Sequence, residues 1–296
     1  MLMASLRRLY HLGGGGVHVF ILVSGFGLCL SNLNKPLTYT QFLRRRFSRI
    51  YLPFVFIVLL SSLWTLYLYG TFDYNAFFSN VFLYKMFSPK YNETFGIQMW
   101  FISTIVQFYI CWPLLLQLLK FQKRGVAVAL FISMFWWLLT TLLGKNDERV
   151  WNGFFLQYLW EFVLGMYLAL IYYNNPEKFI FPRLRYLFIY ACIGLGLTGL
   201  LAWDNSWLRS FNDIPSLIGY LSSAMIIYSI SGRYIKIVLC KINNVSYEWY
   251  LTHMLIFSIV AYINWTNIPM LLLISFISSL GFAIIYKYIL SFRLKF

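Results

Sequence analysis

Nine mostly apolar stretches of about 20 residues constrain the fold of this chain more than any other feature. A helix of roughly 20 residues spans the hydrocarbon core of a bilayer. Of the 296 residues, 60% are hydrophobic and only 11% are charged, too few charges for a water-exposed surface. The sequence therefore predicts an all-α, polytopic transmembrane helical bundle of about nine spans. The predicted spans are residues 14–33, 52–70, 99–119, 125–143, 153–173, 186–203, 214–231, 247–265 and 268–290.

The segments between these stretches are too short to hold a soluble domain. No Pro-rich or Ser-rich linker divides the chain, so the sequence predicts one membrane-embedded domain over residues 1–296. A shorter apolar stretch at residues 76–88 contains Asn80 and Lys85 and is interpreted as a helix at the membrane interface. Any chemistry must therefore take place inside the helical bundle or at its faces.

The positions of the basic residues indicate which way the bundle faces. The formal net charge of +15 could suggest a nucleic-acid partner, but the basic residues lie between apolar stretches, where orientation signals occur. Alternate connecting segments carry 17 of the 24 Lys and Arg residues and are predicted to be cytoplasmic. The sequence thus predicts a multi-pass inner (plasma) membrane protein with a cytoplasmic C-terminus and no nucleic-acid partner. The cytoplasmic set is residues 34–51, 120–124, 174–185, 232–246 and the tail beyond residue 285.

Two polar side chains stand out inside the predicted spans, where such groups are costly and often functional. His18 follows the four glycines at residues 13–16, near the outer end of the first span. It is either a functional imidazole or part of a closely packed helix seam. Glu161 lies mid-span, so we expect it to be protonated, paired or facing a cavity.

A basic segment, Arg44, Arg45, Arg46 and Arg49, precedes the second span. Guanidinium groups suit bidentate contacts with phosphate, which favours an anion-binding surface. The alternative is membrane anchoring by the positive-inside rule and attraction to anionic lipids.

Ser246, Tyr250 and His253 share one face of a predicted helix, because residues four and seven apart lie on the same side. Imidazole can act as a general base or a nucleophile near neutral pH. The alternative is a hydrogen-bonded helix-packing cluster. The three histidines lie far apart in the sequence with few acids, so the sequence predicts no metal site.

Five motifs occur in one order across about residues 13 to 255. Together they resemble the integral-membrane acyltransferase-3 family, whose members acylate surface glycans and other acceptors. The motifs are Gly16-Val17-His18-Val19-Phe20 with Ser24-Gly25-Phe26; Arg45-Arg46, Arg49, Tyr51 and Pro53; Trp100-Phe101-Ile102-Ser103 with Gln107-Phe108-Tyr109 and Trp112-Pro113; Phe162 to Gly165; and Ser246-Tyr247 with Tyr250-Leu251-Thr252-His253.

The resemblance implies transfer of an acetyl or similar acyl group from acyl-coenzyme A to a hydroxyl of a surface polysaccharide or glycolipid. Arg45, Arg46 and Arg49 are then expected to bind the phosphates of acetyl-coenzyme A. The catalytic candidates are His18, His253, Glu161 and Tyr250, with either histidine as the base or as a covalent relay.

The sequence departs from the family in two places. Members usually open with a helix ending in a His, which here is absent or reduced to residues 1–12. One span missing before residue 1 would explain this and the predicted external N-terminus, and an unusual natural insertion is the alternative. Ile105 and Val106 stand where some members carry a Glu. Two other functions therefore stay open: a polysaccharide or glycolipid transporter or flippase, and a truncated, inactive homologue.

Overall fold

A computed structural model describes residues 13–146, 148–203, 211–263 and 268–293. The reduced first helix expected at residues 1–12 and the last two residues of the predicted span 247–265 lie outside these described residues.

Every regular element in the described ranges is helical, as predicted. Short 3-10 turns precede or connect several of the twelve α-helices found there. The α-helices are α1 Gly16–Asn34, α2 Tyr39–Tyr69, α3 Tyr74–Val81, α4 Trp100–Ile110, α5 Trp112–Lys120, α6 Lys123–Leu142, α7 Arg149–Asn152, α8 Leu159–Asn174, α9 Leu184–Trp203, α10 Asp213–Ile230, α11 Arg233–Tyr262 and α12 Ile268–Arg293.

Each predicted span coincides with one helix or with a bent helix pair. Among the described residues, seven helices are long and apolar enough to cross a membrane, and the pair α4 and α5 brings the number to eight. The remaining predicted span, 247–265, belongs to α11, which is long enough but carries Glu248 and His253 in its apolar part. The polytopic all-α architecture is therefore confirmed.

Two predicted basic loops are helical instead. Helix α2 begins at Tyr39 and α11 at Arg233, so the segments 39–51 and 233–246 extend the spans that follow them. Arg, Lys and Leu favour helix, and a continued helix satisfies backbone groups that a loop would expose. The sequence did not predict these extensions because their charged residues were assigned to loops.

The predicted span 99–119 is broken rather than straight. Helices α4 and α5 meet at an angle of 61°, with Cys111 between them and Pro113 in the first turn of α5. Proline lacks a backbone N–H and clashes with the preceding turn, which explains the break.

The chain divides into two compact units, each built from two stretches of sequence. Unit 1 comprises Met1–Tyr39 and Gln107–Ser231, and unit 2 comprises Thr40–Val106 and Gly232–Phe296. In unit 1 the most extensive helix contacts join α1 to α8 and α9 to α10, and in unit 2 they join α11 to α12.

The stretch predicted as an interfacial helix, residues 76–88, forms α3 and a 3-10 turn, Tyr84–Phe87. Asn80 and Lys85 in this stretch point inward, and both are fully buried. The amide Nδ2 of Asn80 donates to the Thr94 hydroxyl at 2.8 Å, and Nζ of Lys85 donates to the Thr94 carbonyl at 2.9 Å. These two hydrogen bonds therefore fix Thr94 against α3 and against the 3-10 turn that follows it.

Candidate functional site

Two glycines let α1 and α8 approach each other closely in unit 1. A Cβ at Gly25 would lie 2.2 Å from the carbonyl oxygen of Phe162, and one at Gly165 would lie 2.1 Å from that of Leu22. Neither position can hold a larger residue without moving a backbone. The close-packed seam that the sequence offered as an alternative role for the first span is therefore present, and it brings the starts of α1 and α8 together.

His18 and Glu161 meet at this seam. Nδ1 of His18 lies 2.7 Å from Oε1 of Glu161. His18 is 8% exposed and Glu161 is fully buried. A carboxylate can only accept a hydrogen bond, so Nδ1 carries the proton in this pair and the imidazole is fixed in orientation. The sequence placed Glu161 mid-span, whereas α8 begins at Leu159 and Glu161 occupies its first turn.

The other nitrogen of His18 faces a second carboxylate. Nε2 lies 3.7 Å from Oδ1 of Asp213, and Oδ2 of Asp213 accepts a hydrogen bond from Nε2 of Gln157 at 2.7 Å. The ring of Tyr158 lies against the imidazole, with ring centroids 5.7 Å apart. We call His18, Glu161, Asp213 and Gln157 the imidazole cluster.

Sequence reasoning missed Asp213 and Gln157. Asp213 stands directly before the predicted span 214–231 and was therefore left in a connecting segment, but it begins α10 and is buried. The signal was available: an Asp directly before an apolar stretch that has Pro at its second position is typical of a helix start. Gln157 lies inside a predicted span, where an amide should have drawn the same attention as Glu161.

The imidazole cluster also contains three residue types that bind metals. His18, Glu161 and Asp213 can each offer one ligand atom, and these three atoms lie within 4.8 Å of one another. The sequence expected no ligand set because its histidines are far apart, and it could not foresee that two acids would join one of them. Oε2 of Glu161 is buried and makes no hydrogen bond to any described residue. These atoms could hold a divalent cation.

The late motif lies in unit 2, on α11. Nδ1 of His253 lies 3.1 Å from the carbonyl oxygen of Trp249, and the rings of Tyr250 and His253 have centroids 6.2 Å apart. The Tyr250 hydroxyl donates to the carbonyl oxygen of Gln98. Ser246 donates to the carbonyl oxygen of Asn243 at 2.8 Å. Tyr250 and His253 are thus neighbours, as their spacing predicted.

The three predicted phosphate-binding arginines lie on the first part of α2 in unit 2. Arg45 and Arg49 are exposed, and Arg46 is half-buried with its guanidinium 5.7 Å from the centre of the Phe42 ring. The structure therefore leaves their charged groups accessible along one helix.

Comparison with known proteins gives one family and one relative. The acyltransferase-3 family model, described as an acyltransferase domain, matches residues 4–288. The chain is 25% identical over 252 residues to an uncharacterised protein of Haemophilus influenzae, covering 74% of this chain and 99% of that one. No solved structure matches the chain.

Proposed function

This chain belongs to the acyltransferase-3 family, and from that premise we propose that it moves an acetyl or similar acyl group from acyl-coenzyme A to a hydroxyl of a cell-surface polysaccharide or glycolipid. The observation that carries this proposal is the buried contact of His18 with Glu161 at 2.7 Å. A histidine oriented by a carboxylate through Nδ1 is the usual partner for proton transfer from a hydroxyl.

His18 acts as the general base in the proposed reaction. Its Nε2 takes the proton of the acceptor hydroxyl as the oxygen attacks the thioester carbonyl carbon. The carbon–sulfur bond then breaks, the coenzyme A thiolate leaves, and His18 returns the proton to the thiolate. An ester and free coenzyme A result, and the base ends in its starting protonation state.

The two carboxylates stabilise the imidazolium that forms midway. Glu161 contacts Nδ1 directly, and Asp213 lies 3.7 Å from Nε2. Gln157 fixes Asp213 by donating to its Oδ2. Charge that develops inside a low-dielectric site is stabilised strongly by such pre-oriented groups.

The remaining predicted residues bind the donor or relay the acyl group. Arg45, Arg46 and Arg49 bind the phosphates of coenzyme A, supported by their exposure on α2. In a two-step alternative, His253, beside Tyr250, is the covalent relay: its imidazole first displaces the coenzyme A thiol from the thioester, and the acceptor hydroxyl then attacks the acyl-imidazole and releases His253. We propose that the arginines and His253 lie toward the cytoplasm and His18 toward the outer face of the inner membrane, an assignment that the alternation of basic segments in the sequence supports.

The test is transfer of radiolabelled acetyl from acetyl-coenzyme A to the glycan fraction of membranes that contain the protein. We expect label in the glycan and an equal release of coenzyme A thiol. His18→Asn should lower kcat about 10²–10⁴-fold, the usual contribution of a general base. Arg46→Ala with Arg49→Ala should raise KM for acetyl-coenzyme A with a smaller effect on kcat.

Trp136→Phe provides a matched control within unit 1, since Trp136 stacks on Trp151 away from the imidazole cluster. Its kcat should stay within about twofold of wild type. Glycan labelling that persists unchanged in His18→Asn would refute the role of His18. Transport of an unmodified glycan without consumption of acetyl-coenzyme A would favour the transporter instead.

A further inference from the structure

The first half of α11 forms a basic surface that the proposed function does not use. Arg233, Lys236 and Lys241 lie along this segment, which the sequence predicted as a cytoplasmic loop. Arg233 and Lys241 are exposed and Lys236 is half-buried. Arg233 shares a helix face with Lys236, three residues on, and with Lys241, eight residues on, and all three side chains line the same concavity.

The contacts of α11 with α2 show that the two helices run in the same direction within unit 2. The Tyr247 hydroxyl donates to the Ile50 carbonyl at 2.6 Å, and further along Nε1 of Trp64 donates to the Ser258 hydroxyl at 3.0 Å. Arg44 and Lys241 each precede the Tyr247–Ile50 contact by about six residues, or about 9 Å of helix. Lys241 therefore lies level with Arg44, and Arg233 lies about 12 Å further along α11 in the direction of its start.

Helix α12 runs antiparallel to α11, so the basic residues near its C-terminus lie at the same end of unit 2 as the basic parts of α2 and α11. Nε1 of Trp249 donates to the Ser279 hydroxyl at 2.9 Å, and Nζ of Lys287 donates to the carbonyl oxygen of Asn244. Three helices of unit 2 thus bring their basic ends together. The acid closest along α11 is Glu248, one turn beyond Asn244 and half-buried.

An open concavity of about 530 Å³ lies on this surface of α11. Three of its lining side chains are cations, and the others are small or uncharged. The lining residues are Arg233, Lys236, Ile237, Cys240, Lys241 and Asn244. A shallow cationic recess with an amide at one end has the donor chemistry of a phosphate site, because Lys, Arg and Asn all donate hydrogen bonds to phosphate oxygens.

We propose that this concavity on α11 is a second phosphate-binding site, distinct from the arginines of α2, and that it takes a phosphate ester. Coenzyme A carries a 3′-phosphate and a 5′-diphosphate on one ribose, so two neighbouring cationic surfaces match its two anionic groups. This choice of ligand rests on the proposed function, whereas the site itself does not. The headgroup of an anionic phospholipid has the same phosphate chemistry.

The experiment measures binding of coenzyme A and of adenosine 3′,5′-bisphosphate to the full chain in phosphatidylcholine nanodiscs by isothermal titration calorimetry. The test variant is Arg233→Gln with Lys236→Gln and Lys241→Gln. The matched control is Arg183→Gln with Lys120→Gln and Lys123→Gln, which removes one Arg and two Lys charges, all exposed, from unit 1. We expect both ligands to bind about 10- to 100-fold more weakly in the test variant, and within about twofold of wild type in the control.

Equal nucleotide affinities and equal stabilisation by phosphatidylglycerol in the test and control variants would overturn the site, because general membrane anchoring would then explain the charges. If the test variant folds poorly, Lys241→Gln alone should still weaken binding several-fold. Nanodiscs with added phosphatidylglycerol separate the two phosphate sources. Loss of stabilisation by phosphatidylglycerol in the test variant, with nucleotide affinity intact, would support the site with a lipid phosphate as its ligand.

The same measurements separate this site from the proposed function. Wild-type protein that binds neither nucleotide but is stabilised by phosphatidylglycerol through α11 would refute the acyl-coenzyme A donor and keep the site. Nucleotide affinity that falls in Arg46→Ala with Arg49→Ala, while the α11 variant loses neither nucleotide affinity nor stabilisation by phosphatidylglycerol, would refute the site and keep the donor.

Discussion

Basic side chains inside the two units meet different partners. In unit 1, the imidazole of His18 lies between the carboxylates of Glu161 and Asp213. In unit 2, His253 contacts the backbone carbonyl of Trp249, and Lys85 donates to the carbonyl of Thr94. Both kinds of contact satisfy a hydrogen bond, but only a carboxylate also neutralises a positive charge.

This difference indicates which group can gain a proton during a reaction at little cost. Burying a charge without a counter-charge is expensive, because a low-dielectric interior does not replace its hydration. An imidazole between carboxylates can become an imidazolium and return. An imidazole or amine that is hydrogen-bonded to a carbonyl gains no counter-charge from that partner, which suits a nucleophile or a structural contact better than a base.

The largest expected effect comes from removing the carboxylate charge of Glu161, because His18 contacts a carboxylate whereas His253 contacts a carbonyl. Glu161→Gln keeps an oxygen near Nδ1 of His18 but removes the carboxylate, so we expect kcat for acetyl transfer to fall about 10²–10⁴-fold. Tyr250→Phe removes the hydroxyl that donates to Gln98, beside His253. It should lower kcat by less than about tenfold, measured in the same membranes.

Equal losses in these two variants would show that the carboxylate gives His18 no advantage over His253. A larger loss of kcat in Tyr250→Phe would indicate that the general base lies in unit 2. Size-exclusion profiles that match wild type are needed for both variants, so that the comparison reports chemistry rather than folding.

The second effect tests whether the glycine seam holds the imidazole cluster together. Gly165→Ala places a Cβ where Leu22 has its carbonyl oxygen, and we expect a loss of about 1–3 kcal/mol of stability together with a fall in activity. Gly27→Ala is the matched control on α1, because a Cβ there meets nothing within 4 Å. Thermal unfolding of the purified protein measures both, and equal melting temperatures would contradict the close approach.

Much of the fold could be predicted because the bilayer sets helix length, and each apolar stretch accordingly became a helix or a bent pair. The starts of α2 and α11 were missed because charged residues were assigned to loops. The pairing of His18 with Glu161 joins residues 143 apart in sequence. No spacing rule encodes such a contact, so each residue could be singled out alone but not as part of a pair.

A smaller effect concerns pH and Lys85, which lies outside the membrane-spanning helices. Burial lowers the pKa of Lys85 to about 7, although Glu93 acts to raise it. The unfolded chain holds this proton up to a pH near 10.5, so burial costs stability below about pH 7 and the cost disappears as the pH rises toward 10.5. Wild-type protein should therefore gain thermal stability between pH 7 and 9.5, and Lys85→Met should lose that gain.

Lys90→Met is the control for this pH dependence, because Lys90 is exposed and nearby in sequence. It should keep the wild-type profile. If thermal stability changes with pH in the same way in wild type and Lys85→Met, burial does not disfavour the charged form of Lys85. The comparison of basic side chains in the two units would then depend on His253 alone.

The smallest effect is expected from removing metal ions, although His18, Glu161 and Asp213 could ligate one. Within the imidazole cluster, Glu161 accepts from Nδ1 of His18 and Asp213 accepts from Gln157, so each carboxylate already has a hydrogen-bond donor without a cation. Treatment with EDTA should leave kcat and melting temperature unchanged, and elemental analysis should find well under one metal ion per chain. One metal ion per chain that is lost in Glu161→Gln would instead show that the imidazole cluster is a metal centre. Unit 1 would then differ from unit 2 in binding a metal ion rather than in transferring a proton.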